Sequence, residues 1–299
     1  MKKERVLTNI THRAAVLGDP IAHSLSPVLH NAAYEAMNLQ GWFYDRAQVS
    51  QDGLDDFLHG LDSAWRGLSL TMPLKRTIIP YGKPQDKWVK LLGVANTAVM
   101  DWEMQNSEHP ELPGIRLYNT DVRGIQRALQ HVSRPHRTLR TALILGNGNT
   151  ARSAYAALSQ LNVNSITVAA RHTEKSAPMV KLGTTFRINT ELASLEDIGG
   201  DLSGFDYVVS TLPAHAADGI AERLKPSGKS FGTLLDVIYD PRPTALLEAW
   251  AECNGTAIGG EEMLLQQAIP QVAYMTSRPP EEVSSIAEEH MRKALHEAM

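Results

Sequence analysis

Thr141-Ala-Leu-Ile-Leu-Gly146-Asn147-Gly148-Asn149-Thr150-Ala151 is the stretch on which the fold of this 299-residue chain turns. Residues 141–145 are an apolar run of strand length, followed at once by a glycine turn and then by a helix. Gly146 permits a tight turn, Gly148 lets the backbone approach a pyrophosphate, and Ala151 lets the helix pack closely on the strand. The helix N-terminus aims its amides at the same anion. The six residues Gly146, Asn147, Gly148, Asn149, Thr150 and Ala151 are therefore a candidate cofactor-binding set. A glycine-rich turn that binds nothing carries the same local signature, and the strand before and helix after favour the dinucleotide reading.

Working outward, the next strand ends in Ile166-Thr-Val-Ala-Ala-Arg171-His-Thr173-Glu-Lys175. An acid at that end would bind the ribose hydroxyls of NAD, whereas an arginine suits the extra phosphate of NADP. No acid stands there. Arg171 can hold a phosphate bidentately, with Thr173 and Lys175 adding a hydroxyl and a second charge; a solvated cluster at a helix start is the alternative. Short apolar runs at 165–169, 207–210, 231–237 and 256–258 alternate with helix-period segments, which makes this half a Rossmann-type unit. Two long helical segments, 261–275 and 280–298, close the chain.

Strand-like runs also occur upstream, at 14–17, 43–49, 67–71 and 95–100, with helices over 27–37 and 53–61. The class is α/β, with parallel sheets expected in both halves. Residues 101–113 are acidic, polar and proline-containing and read as a loop between the last two strands of the first half. A break at 131–140 puts a domain boundary between about 120 and 140, and the chain's length alone favours two domains with a cleft.

Composition narrows the classes. The formal net charge is −4, with no long basic run, so nucleic acid is not an expected partner. The single cysteine, Cys253, excludes an intrachain disulfide and a multi-cysteine metal site, and reads as a small apolar residue. The histidines lack paired spacing, so no metal is expected. Without an apolar stretch of membrane length or a signal peptide within residues 1–10, the expected location is the cytoplasm.

Four segments upstream of the glycine turn carry chemistry. Gly18-Asp-Pro-Ile-Ala-His-Ser24-Leu-Ser26-Pro27 places two hydroxyls before the expected 27–37 helix, which suits a carboxylate, although Ser26 before Pro27 is also an ordinary cap. His23 reads as structural. Leu68-Ser-Leu-Thr71-Met-Pro73-Leu-Lys75 brings a threonine and a lysine to a strand's C-terminal edge, where α/β ligands bind; a solvated lysine is the alternative. Gly93-Val-Ala-Asn96-Thr97 and Asn119-Thr120-Asp121-Val-Arg-Gly124 each set an amide or carboxylate at an element end, and Asp121 alone reads as a cap of the 122–129 helix.

In this order, these segments closely resemble the shikimate dehydrogenase family, whose signatures are a serine pair before proline, threonine-x-proline-x-lysine, asparagine-threonine and asparagine-threonine-aspartate. The resemblance continues through Asp236-Val237-Ile-Tyr239-Asp-Pro241-Arg-Pro-Thr244 and Met263-Leu-Leu-Gln-Gln267-Ala268. It implies a substrate domain of residues 1–120 with 260–299 and an NADP-binding domain of 121–259. It also implies NADPH-dependent reduction of 3-dehydroshikimate by a monomer or homodimer. Ser24 and Ser26 would bind the substrate carboxylate. Thr71, Asn96, Gln267 and Tyr239 would meet the ring oxygens, Lys75 and Asp121 would be the catalytic pair, and Val237 and Gly260 would join the cofactor set. Asn149, the order Val94-Ala95, Thr211-Leu212-Pro213 and Glu262 depart from the usual pattern. Rival readings are a quinate/shikimate dehydrogenase, a bifunctional methylenetetrahydrofolate dehydrogenase and a non-catalytic cofactor-binding regulator on the same fold.

Overall fold

The computed structural model describes residues 10–132, 140–225 and 231–299; residues 133–139 of the expected 131–140 break, and the N-terminal stretch up to residue 9, lie outside them. The chain forms two compact units, Met1–Thr120 with Ala268–Met299, and Asp121–Gln267. Each has its own sheet.

The first unit runs β1 (His12–Gly18), α1 (Ser26–Ala36), β2 (Trp42–Gln48), α2 (Leu54–His59), β3 (Trp65–Leu70), α3 (Leu74–Thr77), β4 (Lys83–Pro84), α4 (Lys87–Leu92), β5 (Thr97–Gln105) and β6 (Pro113–Tyr118). Strand order is β2-β1-β3-β5-β6-β4. β1 pairs parallel with β2 and β3, but β5 is antiparallel to both β3 and β6, so this sheet is mixed rather than parallel throughout. The expected loop at 101–113 is corrected at its start. β5 continues to Gln105 as one arm of a hairpin with β6, because Trp102 in the polar stretch donates its indole N–H to the Trp65 carbonyl at 2.8 Å. Polar residues suit a strand whose outer face meets water. Leu17, Leu54, Leu68, Leu74, Ile78 and Leu117 anchor the core on one face.

Register decides where this sheet presents its chemistry. Leu17 pairs with Leu70, Ser69 with Thr97, and Thr97 with Tyr118. The C-terminal ends of β1, β3 and β6 and the N-terminal end of β5 therefore share one edge.

The second unit begins with α5 (Asp121–Val132) and continues β7 (Thr141–Leu145), α6 (Asn149–Ser159), β8 (Ser165–Ala170), α7 (Ala177–Phe186), β9 (Asn189–Ser194), β10 (Tyr207–Ser210), α8 (Asp218–Arg223), β11 (Thr233–Asp236), α9 (Ala245–Glu252), β12 (Thr256–Ile258) and α10 (Gly260–Thr276). α10 crosses from this unit into the first, which α11 (Pro280–Ala298) completes. The sheet order is β12-β11-β10-β7-β8-β9, every pair parallel. The strand order reverses between β7 and β10, and α/β sheets bind ligands outside the carboxyl ends of strands at such a point. Cys253 is buried beside Trp250 in this unit's core, and burial pushes its thiol up, as a small apolar residue requires. No helix among the described residues is long and apolar enough to cross a membrane.

Candidate active site

The glycine turn joins β7 to α6 at the reversal point. Gly146 has φ +107°, a backbone region that favours glycine, and a Cβ there would stand 2.5 Å from Thr211 Oγ1. Thr211 cannot yield easily, since its N and Oγ1 both donate to the Leu145 carbonyl, at 2.9 and 2.8 Å. The atypical segment at 211–213 therefore braces the turn from the neighbouring strand. Gly148 caps α6, and a Cβ there would meet no protein atom within 4 Å, so the backbone can be approached closely beside the first amides of the helix. Asn149 and Thr150 open α6, and Ala151 is fully buried.

Asn147 has a task that the turn pattern did not disclose. Its Nδ2 donates to the His172 carbonyl and to Ser176 Oγ, both at 3.0 Å, tying the glycine turn to the segment after β8. Arg171 follows β8 directly and is exposed; Thr173 is half-buried and Lys175 exposed in the short 3₁₀ turn Thr173–Ser176. Farther along the same unit, a Cβ on Gly260 would stand 2.1 Å from the Val237 carbonyl, so glycine is what lets α10 start against the end of β11. Tyr239 is half-buried two residues beyond Val237. Asp236 accepts from Thr244 Oγ1 at 2.8 Å, and burial pushes its carboxyl up. Gln267 is buried; its Nε2 donates to the Leu264 carbonyl, and a Cβ on Gly124 would lie 2.7 Å from its own Cβ, so Gly124 lets α5 and α10 touch. Asp121, 4% exposed, is the first residue of α5.

In the first unit the shared sheet edge collects the other candidates. Ser24 and Ser26 follow β1 and are buried. α1 starts at Ser26 with Leu25 as its N-cap and no side-chain cap bond, so Ser26 is not an ordinary cap; Ser24 Oγ takes the Ser26 amide at 3.3 Å. Arg46, which the sequence did not single out, donates from Nη1 to the carbonyls of Ala22 and Ser24 and holds a cation beside the pair. His23 is exposed.

Thr71 follows β3, and Gly18 is what admits it: a Cβ on Gly18 would stand 2.3 Å from Thr71 Cγ2. Lys75, half-buried in α3, accepts at its carbonyl from Ala95 N at 2.8 Å, which fixes it against the segment leading to Asn96. Asn96 is 2% exposed. Its Oδ1 accepts from Thr120 N at 2.8 Å, and its Nδ2 donates to Thr120 Oγ1 at 2.9 Å. Asp86 bridges two elements here, capping α4 through Val89 N and accepting from Asn119 N at 2.7 Å; burial pushes its carboxyl up. Thr120 is thereby held at the edge, and Asp121 follows it by one peptide bond. Among the described residues no group of three His, Cys, Asp or Glu side chains could hold a metal ion.

Residues 16–98 match the family model described as the shikimate dehydrogenase substrate binding domain. A shikimate dehydrogenase (NADP(+)) of Synechocystis sp. is 31% identical over 273 residues, covering 87% of this chain and 89% of that one. The crystal structure of Mycobacterium tuberculosis shikimate dehydrogenase is 36% identical, with a TM-score of 0.79 over 96% of this chain and 99% of that one. A shikimate 5-dehydrogenase of Thermus thermophilus, solved in complex with NADP(H) and shikimate, is 25% identical with a TM-score of 0.73, covering 95% and 99% of the two chains. On this agreement over nearly its whole length, the chain belongs to the shikimate dehydrogenase family.

Proposed function

We propose that this chain reduces 3-dehydroshikimate to shikimate with NADPH, reversibly, as the step of aromatic amino-acid biosynthesis that its family performs, in the cytoplasm, as a monomer or homodimer. The observation that carries the reading is the single sheet edge on which Ser24, Ser26, Thr71, Lys75 and Asn96 gather although they span 73 positions of sequence (24 to 96). Residues 1–120 with 260–299 serve the substrate in this reading, and 121–259 serve the cofactor.

The residues fit NADP. Gly148 leaves the backbone open for a pyrophosphate at the N-terminus of α6, and Arg171 with Lys175 offers two cations for the adenosine phosphate, with Thr173 between them. Val237 and Gly260 complete the set. When bound, NADPH supplies the hydride. Ser24 and Ser26, beside the Arg46 cation, hold the substrate carboxylate. Lys75 gives a proton to the ketone oxygen, Asp121 orients that lysine, and Thr71, Asn96, Gln267 and Tyr239 contact the ring oxygens.

The test is oxidation of NADPH by the purified chain with 3-dehydroshikimate, beside 3-dehydroquinate and NADH. Preference for 3-dehydroshikimate and NADPH is expected. Comparable rates with 3-dehydroquinate and NADH would move the assignment to a quinate/shikimate dehydrogenase, and no turnover would point to a regulator.

A further inference from the structure

α10 turns an apolar face into the first unit, where Ala268, Ile269, Val272, Ala273 and Met275 are all buried. Gln271 stands among them, itself 1% exposed. An apolar residue would fill that position without having to satisfy a buried carboxamide, so the glutamine is there for what it binds. Its Nε2 donates to the Asn96 backbone carbonyl at 3.2 Å and to Thr97 Oγ1 at 3.0 Å; its Oε1 accepts from Ser69 Oγ at 3.0 Å. Ser69 accepts in turn from the Tyr44 hydroxyl at 2.6 Å.

The direction of every bond in this chain is fixed by two backbone groups. A backbone carbonyl can only accept, so the Gln271 amide must turn its nitrogen toward Asn96, which leaves Oε1 toward Ser69. His30 Nε2, 3.3 Å from the same Oε1, must then be the protonated nitrogen of that ring. At the other end, Thr120 N can only donate, so the Asn96 carboxamide must turn Oδ1 toward it. Thr97 completes the relay, accepting from Gln271 and donating to Asn96 Oδ1 at 3.0 Å. Oδ1 is thus engaged from two sides.

We infer that Gln271 is a positioning residue for substrate recognition: through Thr97 and the Asn96 carbonyl it holds the Asn96 carboxamide in one orientation, with Oδ1 turned toward Thr97 and Thr120 and the Nδ2 side, which donates to Thr120 Oγ1, set as the donor face of the amide. This rests on the proposed role of Asn96 and extends it to a residue with no contact to substrate. Were Gln271 replaced by an apolar side chain, Thr97 Oγ1 would lose its donor and could turn, and the Asn96 amide would lose one of the bonds that choose its orientation.

The experiment is a double-mutant cycle read by steady-state kinetics with shikimate and NADP, using Asn96→Ala, Gln271→Leu and the pair together. Gln271→Leu should raise the KM for shikimate by about three- to tenfold, the worth of one neutral hydrogen bond, with the KM for NADP changed less than about twofold. It should also erode the preference for shikimate over an analogue lacking a ring hydroxyl, which a merely structural defect would leave in place. In the Asn96→Ala background Gln271→Leu should add almost nothing, because its route to the substrate is already gone. Equal effects of Gln271→Leu with and without Asn96 would overturn the inference. Should Gln271→Leu not fold, the near-isosteric Thr97→Val cuts the same relay one link on, and is expected to give the same shikimate-specific change. If Asn96→Ala itself leaves the shikimate KM unchanged in an active enzyme, the role of Asn96 fails and the inference with it, while the reaction assignment stands.

Discussion

His30 is fully buried in α1, stacked on Tyr44 at 3.9 Å between ring centroids, and burial pushes its imidazole down from 6.5 to about 3, with the hydrogen bond to Gln271 offsetting part of the drop. The unfolded chain takes up a proton near pH 6.5 that the folded chain refuses until about pH 3, so stability is full above 6.5 and is lost as pH falls through this window. Between pH 8 and pH 5 the linkage integral for this one group is about 2 kcal/mol. For a unit of this size that corresponds to roughly 4–8 °C in Tm. His30→Phe keeps a ring against Tyr44 and removes the titration. Thermal unfolding of both proteins at pH 8 and pH 5 isolates the effect as a difference of differences, since every other titrating group is shared. Acidification should lower the Tm of the parent protein by about 4–8 °C more than that of His30→Phe. Equal acid shifts in the two proteins would refute the reasoning, because His30 would then titrate alike folded and unfolded.

Two further outcomes follow from the proposed sites. Arg171→Ala should weaken NADPH by about tenfold to a hundredfold, the range for a charged hydrogen-bonded contact, and leave NADH nearly unaffected, as read by cofactor titration; equal losses for both would remove Arg171 from phosphate recognition. Ser24→Ala should raise the Michaelis constant for shikimate by about tenfold with little change in Tm, whereas a purely structural serine would lower the Tm and leave that constant alone.

The glycine turn was legible because its reasons are local: a five-residue apolar strand, a left-handed residue at Gly146 and a helix start lie side by side in sequence. Strand β9 was not, since Asn189–Ser194 is a polar edge strand whose side chains stay largely exposed, which leaves no hydrophobic alternation to read. The mixed pairing of the first sheet was hidden for a related reason. Direction is set by the hairpin between β5 and β6, and the polar run at 101–105 looks like a loop until its partner strand is known. At the sites, hydroxyls, amides and charges were visible by type and spacing, but the residues that hold them were not. Asn147 binds its partners 25 and 29 positions away, Arg46 reaches back over 22, and Gln271 meets Asn96 across 175. A bond closed by tertiary folding leaves no periodicity in the chain, so such residues read as ordinary polar positions.

The most direct measurement is the single-turnover rate of NADPH oxidation by 3-dehydroshikimate in the parent protein and in Lys75→Ala. The parent protein should turn over 3-dehydroshikimate, and Lys75→Ala should lower that rate by roughly a hundredfold to ten-thousandfold, the usual worth of a positioned proton donor, with NADPH affinity nearly intact because the residues proposed to bind the cofactor lie in the other unit. A near-normal rate in Lys75→Ala would contradict the assignment of Lys75 as the proton donor, and an inert parent protein with NADPH bound would contradict the reaction itself.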